Sequence, residues 1–176
     1  MKQILCLANE PWSNRLPGRT QQIVSRLRDA QILYFFPAQT PWDKSFLHKG
    51  RQVRPNVIAR ALPPIRFPIP ERSRRLFRMA WNKISRFIEE ETTRRHFNQP
   101  LLWTAHPHHI HLVDRLEYSA LVYDCDRVWD GLPVHWEGSL AQAADVVFAA
   151  SPLLCDRLSP CSSNIALLPN GINLPL

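Results

Sequence analysis

The chain has 176 residues, 45% hydrophobic and 21% charged, and carries a net charge of +7. That balance excludes an intrinsically disordered chain and fits one ordinary domain with a real core. No apolar run approaches the roughly 20 residues that would span a bilayer, and Cys6, Cys125, Cys155 and Cys161 show no CxxC spacing, which fits reduced, packed thiols in a cytoplasmic protein.

The opening MKQILCLANEPW holds an apolar run too short for a signal-peptide core. It predicts a first buried strand over residues 3–8 (QILCLA). Residues 18–28 (GRTQQIVSRLR) predict a helix with Ile23, Val24 and Leu27 on one face, and 31–36 (QILYFF) a second strand. The stretch 38–70 contains Pro41, Pro55, Pro63, Pro64, Pro68 and Pro70. It predicts long loops around one poorly paired strand at 57–61 (VIARA). Residues 71–97 predict a long helix, helped by Ser73 near its start. Further strands are expected at 101–105 (LLWTA), 120–125 (ALVYDC), 146–150 (VVFAA) and 165–168 (IALL). Shorter helices are expected at 136–144 (WEGSLAQAA) and 152–158 (PLLCDRL), the second with Ser151 as N-cap and Pro152 in the first helical position. The strands are continuously apolar rather than alternating, and helices separate them. The fold class this predicts is α/β, a Rossmann-like open, mostly parallel sheet with helices on both faces.

In such a sheet, ligands bind beyond the carboxyl ends of the strands. That rule selects residues 9–19, 38–43, 106–111 and 124–130, together with Ser151, Asn170 and Gly171. Only five glycines are present, and neither GxGxxG nor GxxxxGK[ST] occurs. Both motifs bring backbone close to phosphate, so their absence argues against a dinucleotide dehydrogenase and a phosphate-loop NTPase. In TAHPHHIH, His106 directly follows an apolar strand and should aim into the cleft, where an imidazole can donate to a sugar hydroxyl or phosphate oxygen. His108, His109 and His111 read as exposed loop or helix-start imidazoles. No second His/Cys cluster completes a ligand set, so no metal is expected. In VYDCDRVWD, Asp124 and Asp126 fall two apart at a strand end. They fit an acid and base, a divalent-ion site, or a cap and salt bridge with Arg127. No G-x-S-x-G elbow is present.

The charge is concentrated. Twelve of the 22 lysines and arginines lie between residues 44 and 88, where Glu71 is the single acid. Arg72, Arg74, Arg75, Arg78, Lys83 and Arg86 interleave with Leu76, Phe77, Met79, Trp81, Ile84, Phe87 and Ile88. The apolar positions would cover the sheet, leaving the cations to water or to an anionic membrane. No RNP, helix-turn-helix or zinc-finger signature accompanies them, so no nucleic-acid partner is expected.

The final third, LEYSALVYDCDRVWD…WEGSLAQAADVVFAASPLLCDRLSPCSSNIALLPNGIN, resembles the N-terminal half of GT-B-fold glycosyltransferases of the retaining family-4 type. The matching residues are Asp124, Glu137, Ala144, Asp145, Ser151, Leu154, Pro169, Asn170, Gly171 and Ile172. LLWTAHP resembles the acceptor side of the cleft in that family, and LANEPWSNRLPGRTQQIVSRL its first strand, active-site loop and first helix. A bacterial teichuronic-acid or exopolysaccharide type is the nearest match. The resemblance implies that residues 1–176 are an acceptor-side domain whose donor-binding C-terminal domain is absent from this chain. PNG is then an interdomain hinge, and the chain alone does not turn over. It also implies a nucleoside-diphosphate sugar as co-substrate, no other cofactor, a glycan or lipid-linked acceptor, and a cytoplasmic place at the inner face of the membrane. Carried over by residue, His106 and Asp124 are catalytic candidates, and Asn9, Trp12, Arg15, Arg19 and Asp126 acceptor contacts. Ser151, Asn170 and Gly171 border the donor. Read from the residues themselves, Arg72, Arg74, Arg75, Arg78, Lys83 and Arg86 form a membrane or anion face expected to dock on an anionic bilayer. Two features depart from the family: the glycine-rich first loop is replaced by residues 9–18, and no Glu-x7-Glu is found. The alternative is a stand-alone basic α/β binding or scaffold module for an anionic partner, a membrane surface or nucleic acid.

Overall fold

Along the first strand the side chains divide between two cores: Leu5 and Leu7 enter one, Ile4, Cys6 and Ala8 the other. Both sets are buried, so this strand is covered on both faces and reads as a continuous apolar run. The computed structural model describes residues 1–65 and 73–171. Its strands are β1 (Lys2–Leu7), β2 (Ala30–Phe36), β3 (Arg51–Arg54), β4 (Val57–Ala61), β5 (Leu101–Thr104), β6 (Ala120–Cys125), β7 (Val146–Ala149) and β8 (Ile165–Leu167). They form one sheet in the order β3-β4-β2-β1-β5-β6-β7-β8. Every pairing is parallel except β3 with β4. This is the Rossmann-like α/β architecture the sequence predicts.

The helices are α1 (Arg19–Val24), α2 (Arg74–Arg94), α3 (Ile110–Val113), α4 (Val134–Ala143) and α5 (Pro152–Leu158). Val24 of α1, with Ile23 and Leu27 beside it, covers one sheet face. Residues of the other four helices join the opposite core. On α2, Trp81, Ile84 and Ile88 form the buried stripe, and Phe87 meets Phe35 edge-on at 6.3 Å. Burying a side chain such as Ile88 contributes about 2 kcal/mol. The same stripe carries Glu91, 1% exposed, which pairs with Arg60, Arg94 and Arg95.

The stretch after residue 38 differs from expectation. It contains a hairpin, not a single poorly paired strand: β3 runs antiparallel to β4 with an irregularity between Gln52 and Arg54. β4 in turn pairs with β2 along its full length. Asn56, in the turn between them, donates to the carbonyls of Leu27 and Ala30, both at 2.8 Å, and so staples the hairpin to the start of β2. The first helix is also shorter than expected. Arg26 and Leu27 donate three residues back, tightening the last turn into 3-10 geometry. Expectations for Glu71, Arg72 and residues 172–176 lie outside the described residues, as does the side chain of Arg74.

Glu137 ties two helices to the sheet. Its carboxylate, on α4, accepts from the Tyr123 hydroxyl of β6 at 2.9 Å and from Arg157 of α5 at 2.6 and 2.7 Å. Glu137 is 6% exposed and Arg157 about a third. Removing Arg157 would leave a nearly buried carboxylate short of its cation. Arg157→Ala should therefore cost about 2 kcal/mol, less than the roughly 3–5 kcal/mol of a fully buried pair because water reaches the arginine. A lower urea midpoint at unchanged slope is the expected result.

Candidate functional site

β1 and β5 are neighbours in the sheet, but the chain leaves them toward opposite edges. Their carboxyl ends therefore open a crevice, the usual ligand position in a parallel sheet. A pocket of about 300 Å3 lies there. Ala8 and Asn9 reach it from β1, His106, His108 and His109 from the end of β5, and Trp81 and Ile84 from α2. Pro37, Ala38, Leu62, Pro63, Ile65 and Leu112 complete the wall.

His106 is the N-cap of a short 3-10 turn, Pro107–His109, and its Nδ1 accepts the backbone N–H of His108 at 3.1 Å. An imidazole nitrogen that accepts carries no proton, so the neutral ring bears its hydrogen on Nε2. His106 is thereby fixed as a donor. Burial, and then the neighbouring His108, push its pKa down to about 4. The Trp129 ring stands against it, centroids 4.3 Å apart.

The other histidines correct the sequence reading: they are not exposed. His109 is 7% exposed, and burial holds its pKa well below the ordinary value. His108 lies 4.7 Å from the Trp136 ring, and burial lowers its pKa too. His111 packs edge-on against Phe77 at 4.7 Å and Trp136 at 4.9 Å, and faces Trp81 at 5.1 Å. The helix start survives as expected, but α2 and α4 close over it and turn the imidazoles into an aromatic seam.

A second cleft of about 470 Å3 lies beyond the ends of β1, β6 and β8. Arg19, Arg26 and Arg127 line it together with Glu10, Asp126, Asn170 and Gly171. Arg19 organises this site. Its Nε donates to Asp124 Oδ1 at 2.9 Å, and its Nη1 to Asn170 Oδ1 at 2.9 Å. The Asp124 side chain is 1% exposed. Burial raises its pKa, opposed by the hydrogen bond and charge of Arg19. Asp126 binds Arg127 through both oxygens, at 3.0 and 2.7 Å, and the Arg127 guanidinium lies 5.4 Å from the centre of the Trp129 ring. Of the roles open to the two aspartates, the geometry gives each one a guanidinium partner.

The first loop is built rigidly between these clefts. Tyr34 donates its hydroxyl to the Glu10 carbonyl at 2.9 Å, and the Gln21 amide exchanges two hydrogen bonds with the Ser13 backbone, at 2.9 and 2.7 Å. A Cβ at position 18 would collide with the Glu10 carboxylate, so only glycine leaves that carboxylate where it lies.

The structure thus brings Asn9 and His106 to the first pocket and Arg19, Asp126, Asn170 and Gly171 to the second. Asp124 stands behind Arg19. Trp12 instead packs edge-on against Tyr34, centroids 5.2 Å apart, and Arg15 is exposed with its N–H on Ser13. Ser151 caps α5 by accepting from the Leu154 N–H at 3.3 Å. None of these three lines either pocket. Arg75, Arg78, Lys83 and Arg86 are exposed along α2. Sequence reasoning missed Glu10, Arg26 and Trp81 as wall residues; of these three, only Glu10 sits in a stretch that the strand-end rule marks.

No protein-family model matches this chain, and no curated protein matches its sequence. In three dimensions it is similar to a sucrose-phosphate synthase from Thermosynechococcus elongatus, with a TM-score of 0.63 and 16% identity over 98% of this chain and 91% of that one. Similarity at that identity carries the fold alone, an α/β unit built on a mostly parallel sheet.

The histidines set a pH dependence. His106, His108 and His109 all have folded pKa values below the ordinary 6.5, with His106 at about 4. Between those limits the unfolded chain binds more protons, so stability is full above pH 6.5 and is lost as pH falls toward 4. Asp124, shifted upward, acts in the opposite direction near its own titration. The urea midpoint should fall across that window, and His109→Leu should flatten the fall. A midpoint constant from pH 7 to 4.5 would contradict this.

Proposed function

We propose that this chain is the acceptor-side half of a retaining, family-4-type glycosyltransferase of cell-surface polysaccharide synthesis, of the teichuronic-acid or exopolysaccharide type. The observation that carries the proposal is the pair of adjoining sites at the strand ends. One is lined by arginines and the other is uncharged, and both are set in a fold like that of the sucrose-phosphate synthase. The sequence resemblance supports the same reading.

In the reaction, an acceptor hydroxyl oxygen bonds to the anomeric carbon of a nucleoside-diphosphate sugar as the bond to the diphosphate breaks on the same face. The hydroxyl proton leaves with the departing diphosphate. Negative charge builds on that group, and cations fixed beforehand at its position lower the barrier. Arg19 is such a cation, with its side chain 8% exposed and anchored at both ends. Asp124 acts through Arg19 as a positioning residue. His106 donates through Nε2 to a substrate oxygen; with Nδ1 occupied and its basicity lowered, it is no general base. In this reading a second domain binds the donor, the Asn170-Gly171 turn leads toward it, and the chain alone does not turn over.

The proposed place of action is the cytoplasmic membrane face. Leu76 and Met79 are 56% and 66% exposed on α2, among Arg75, Arg78, Lys83 and Arg86. Apolar side chains amid cations suit an anionic bilayer.

The test joins the chain to its donor-binding domain and supplies nucleoside-diphosphate sugars with acceptor lipid in phosphatidylglycerol vesicles. Label should transfer with retained configuration, and Arg19→Ala should slow transfer about 100-fold. Arg75→Glu with Arg78→Glu should reduce both vesicle sedimentation and transfer. Absence of transfer and of donor hydrolysis across all nucleotide sugars would refute the enzyme reading; unaltered sedimentation would refute the membrane face.

A further inference from the structure

We propose that the groove beside the end of α2, at the amino ends of β2 and β4, binds a phosphomonoester with a planar organic body, of the nucleoside monophosphate class. Both clefts described above lie at the opposite, carboxyl ends of the strands. A ligand here therefore touches neither His106 nor Arg19, and the inference stands apart from the glycosyltransferase reading. The groove measures about 410 Å3. Arg94, Arg95 and Phe97 wall it from the end of α2, Gln52 and Asn56 from the β3–β4 hairpin, and Gln31 from β2.

The first argument is charge. Glu91 is 1% exposed, and its single carboxylate faces three guanidinium groups, those of Arg60, Arg94 and Arg95. One negative charge against three positive leaves an excess of two. No other carboxylate among the described residues pairs with any of the three. Arg60 is held at the back, its side chain 10% exposed and lying over the Phe87 ring. Arg94 and Arg95 line the groove itself, 57% and 25% exposed. Arg95 meets Glu91 through Nε at 3.5 Å, which leaves its two Nη groups free to donate to a ligand. The shared carboxylate thus presets two forks of the kind that match phosphate oxygens. A helix end ordinarily repels an anion through its bare carbonyls. Here the carbonyls of Glu91, Thr92 and Thr93 are already taken by the N–H groups of Arg95, Phe97 and His96, the turn closing through His96 at φ 56°.

The second argument is the remaining space. A water occupies about 30 Å3 of liquid, so a phosphate group leaves much of the groove for an organic body. The Phe97 ring offers that body a face, and aromatic pairs are favoured there beyond simple burial. The amides are turned to match. Asn56 spends both its amide hydrogens on the carbonyls of Leu27 and Ala30, and Gln52 donates to the carbonyl of Pro55. Each side chain keeps its own oxygen as an acceptor, which suits the amino group of a base.

The experiment titrates the 176-residue chain in 150 mM NaCl with adenosine 5′-monophosphate, adenosine and inorganic phosphate, following the side-chain amide resonances of Gln52, Asn56 and Asn170. The nucleotide should saturate the Gln52 and Asn56 signals and bind at least about tenfold tighter than either fragment. Arg94→Gln should weaken it about tenfold; Glu91 keeps Arg60 and Arg95, so the fold stands. Gln52→Glu, at an exposed edge position, should weaken it as much with an unchanged thermal melt. Arg78→Gln removes the same charge about 24 Å back along α2 and should leave binding within about twofold. No saturable shift at Gln52 and Asn56 would overturn the proposal, as would Gln52→Glu binding like the wild type. Equal losses from Arg78→Gln and Arg94→Gln would overturn it too, by showing diffuse attraction to a basic surface. Inorganic phosphate binding as tightly as the nucleotide would overturn the organic body. Shifts at Asn170 alone would place the anion in the Arg19 cleft and overturn the site.

Discussion

The site depends on the burial of one carboxylate. Asp124 sits in the sixth strand with its side chain 1% exposed, and an ionised group so placed must find a cation or raise its pKa. Arg19, at the first position of the first helix, is that cation. Satisfying Asp124 draws the start of that helix, and with it the end of the first loop, over the end of the sixth strand. The same guanidinium then reaches Asn170 and fixes the turn after the last strand. Three segments distant in sequence thus meet at one side chain. The cleft wall they make is rigid because the loop is held independently by Tyr34 and Gln21.

Around that knot the molecule separates its charges. Arginines and acids gather beyond the first, sixth and eighth strands, and neutral imidazoles and indoles beyond the first and fifth. The separation follows from covering: the long second helix and the fourth helix close over the histidines, whereas the second cleft stays open to water. A reaction that develops charge on one partner and delivers a hydroxyl from the other is suited by adjoining sites of unlike polarity. The exposed cations of the long helix continue the pattern to the surface.

Much of this was legible in the sequence. Parallel strands buried on both faces are continuously apolar, so all but one of the strands could be found, and the strand-end rule marked both clefts. The missing strand, RQVR, is polar because it lies at the sheet edge with one side in water, and the prolines around it hid the hairpin. The covering of His108 and His111 was not legible, because the rings against them belong to Phe77, Trp81 and Trp136, 25 or more residues away. Arg19 and Asp124 were each recognisable as site residues. Their pairing spans 105 positions, and no local pattern carries it. Glu137 stood out only through the family resemblance, and its partners Tyr123 and Arg157 explain physically why an acid belongs there.

The most direct test of this account is a double-mutant cycle on Arg19→Met and Asp124→Asn, read by urea denaturation. If the buried pair fixes the strand ends, each single change leaves one partner unmatched, and the double change costs less than their sum by about 1–3 kcal/mol. Additive costs would mean that the two residues stand side by side without depending on each other, and the site would need another organiser.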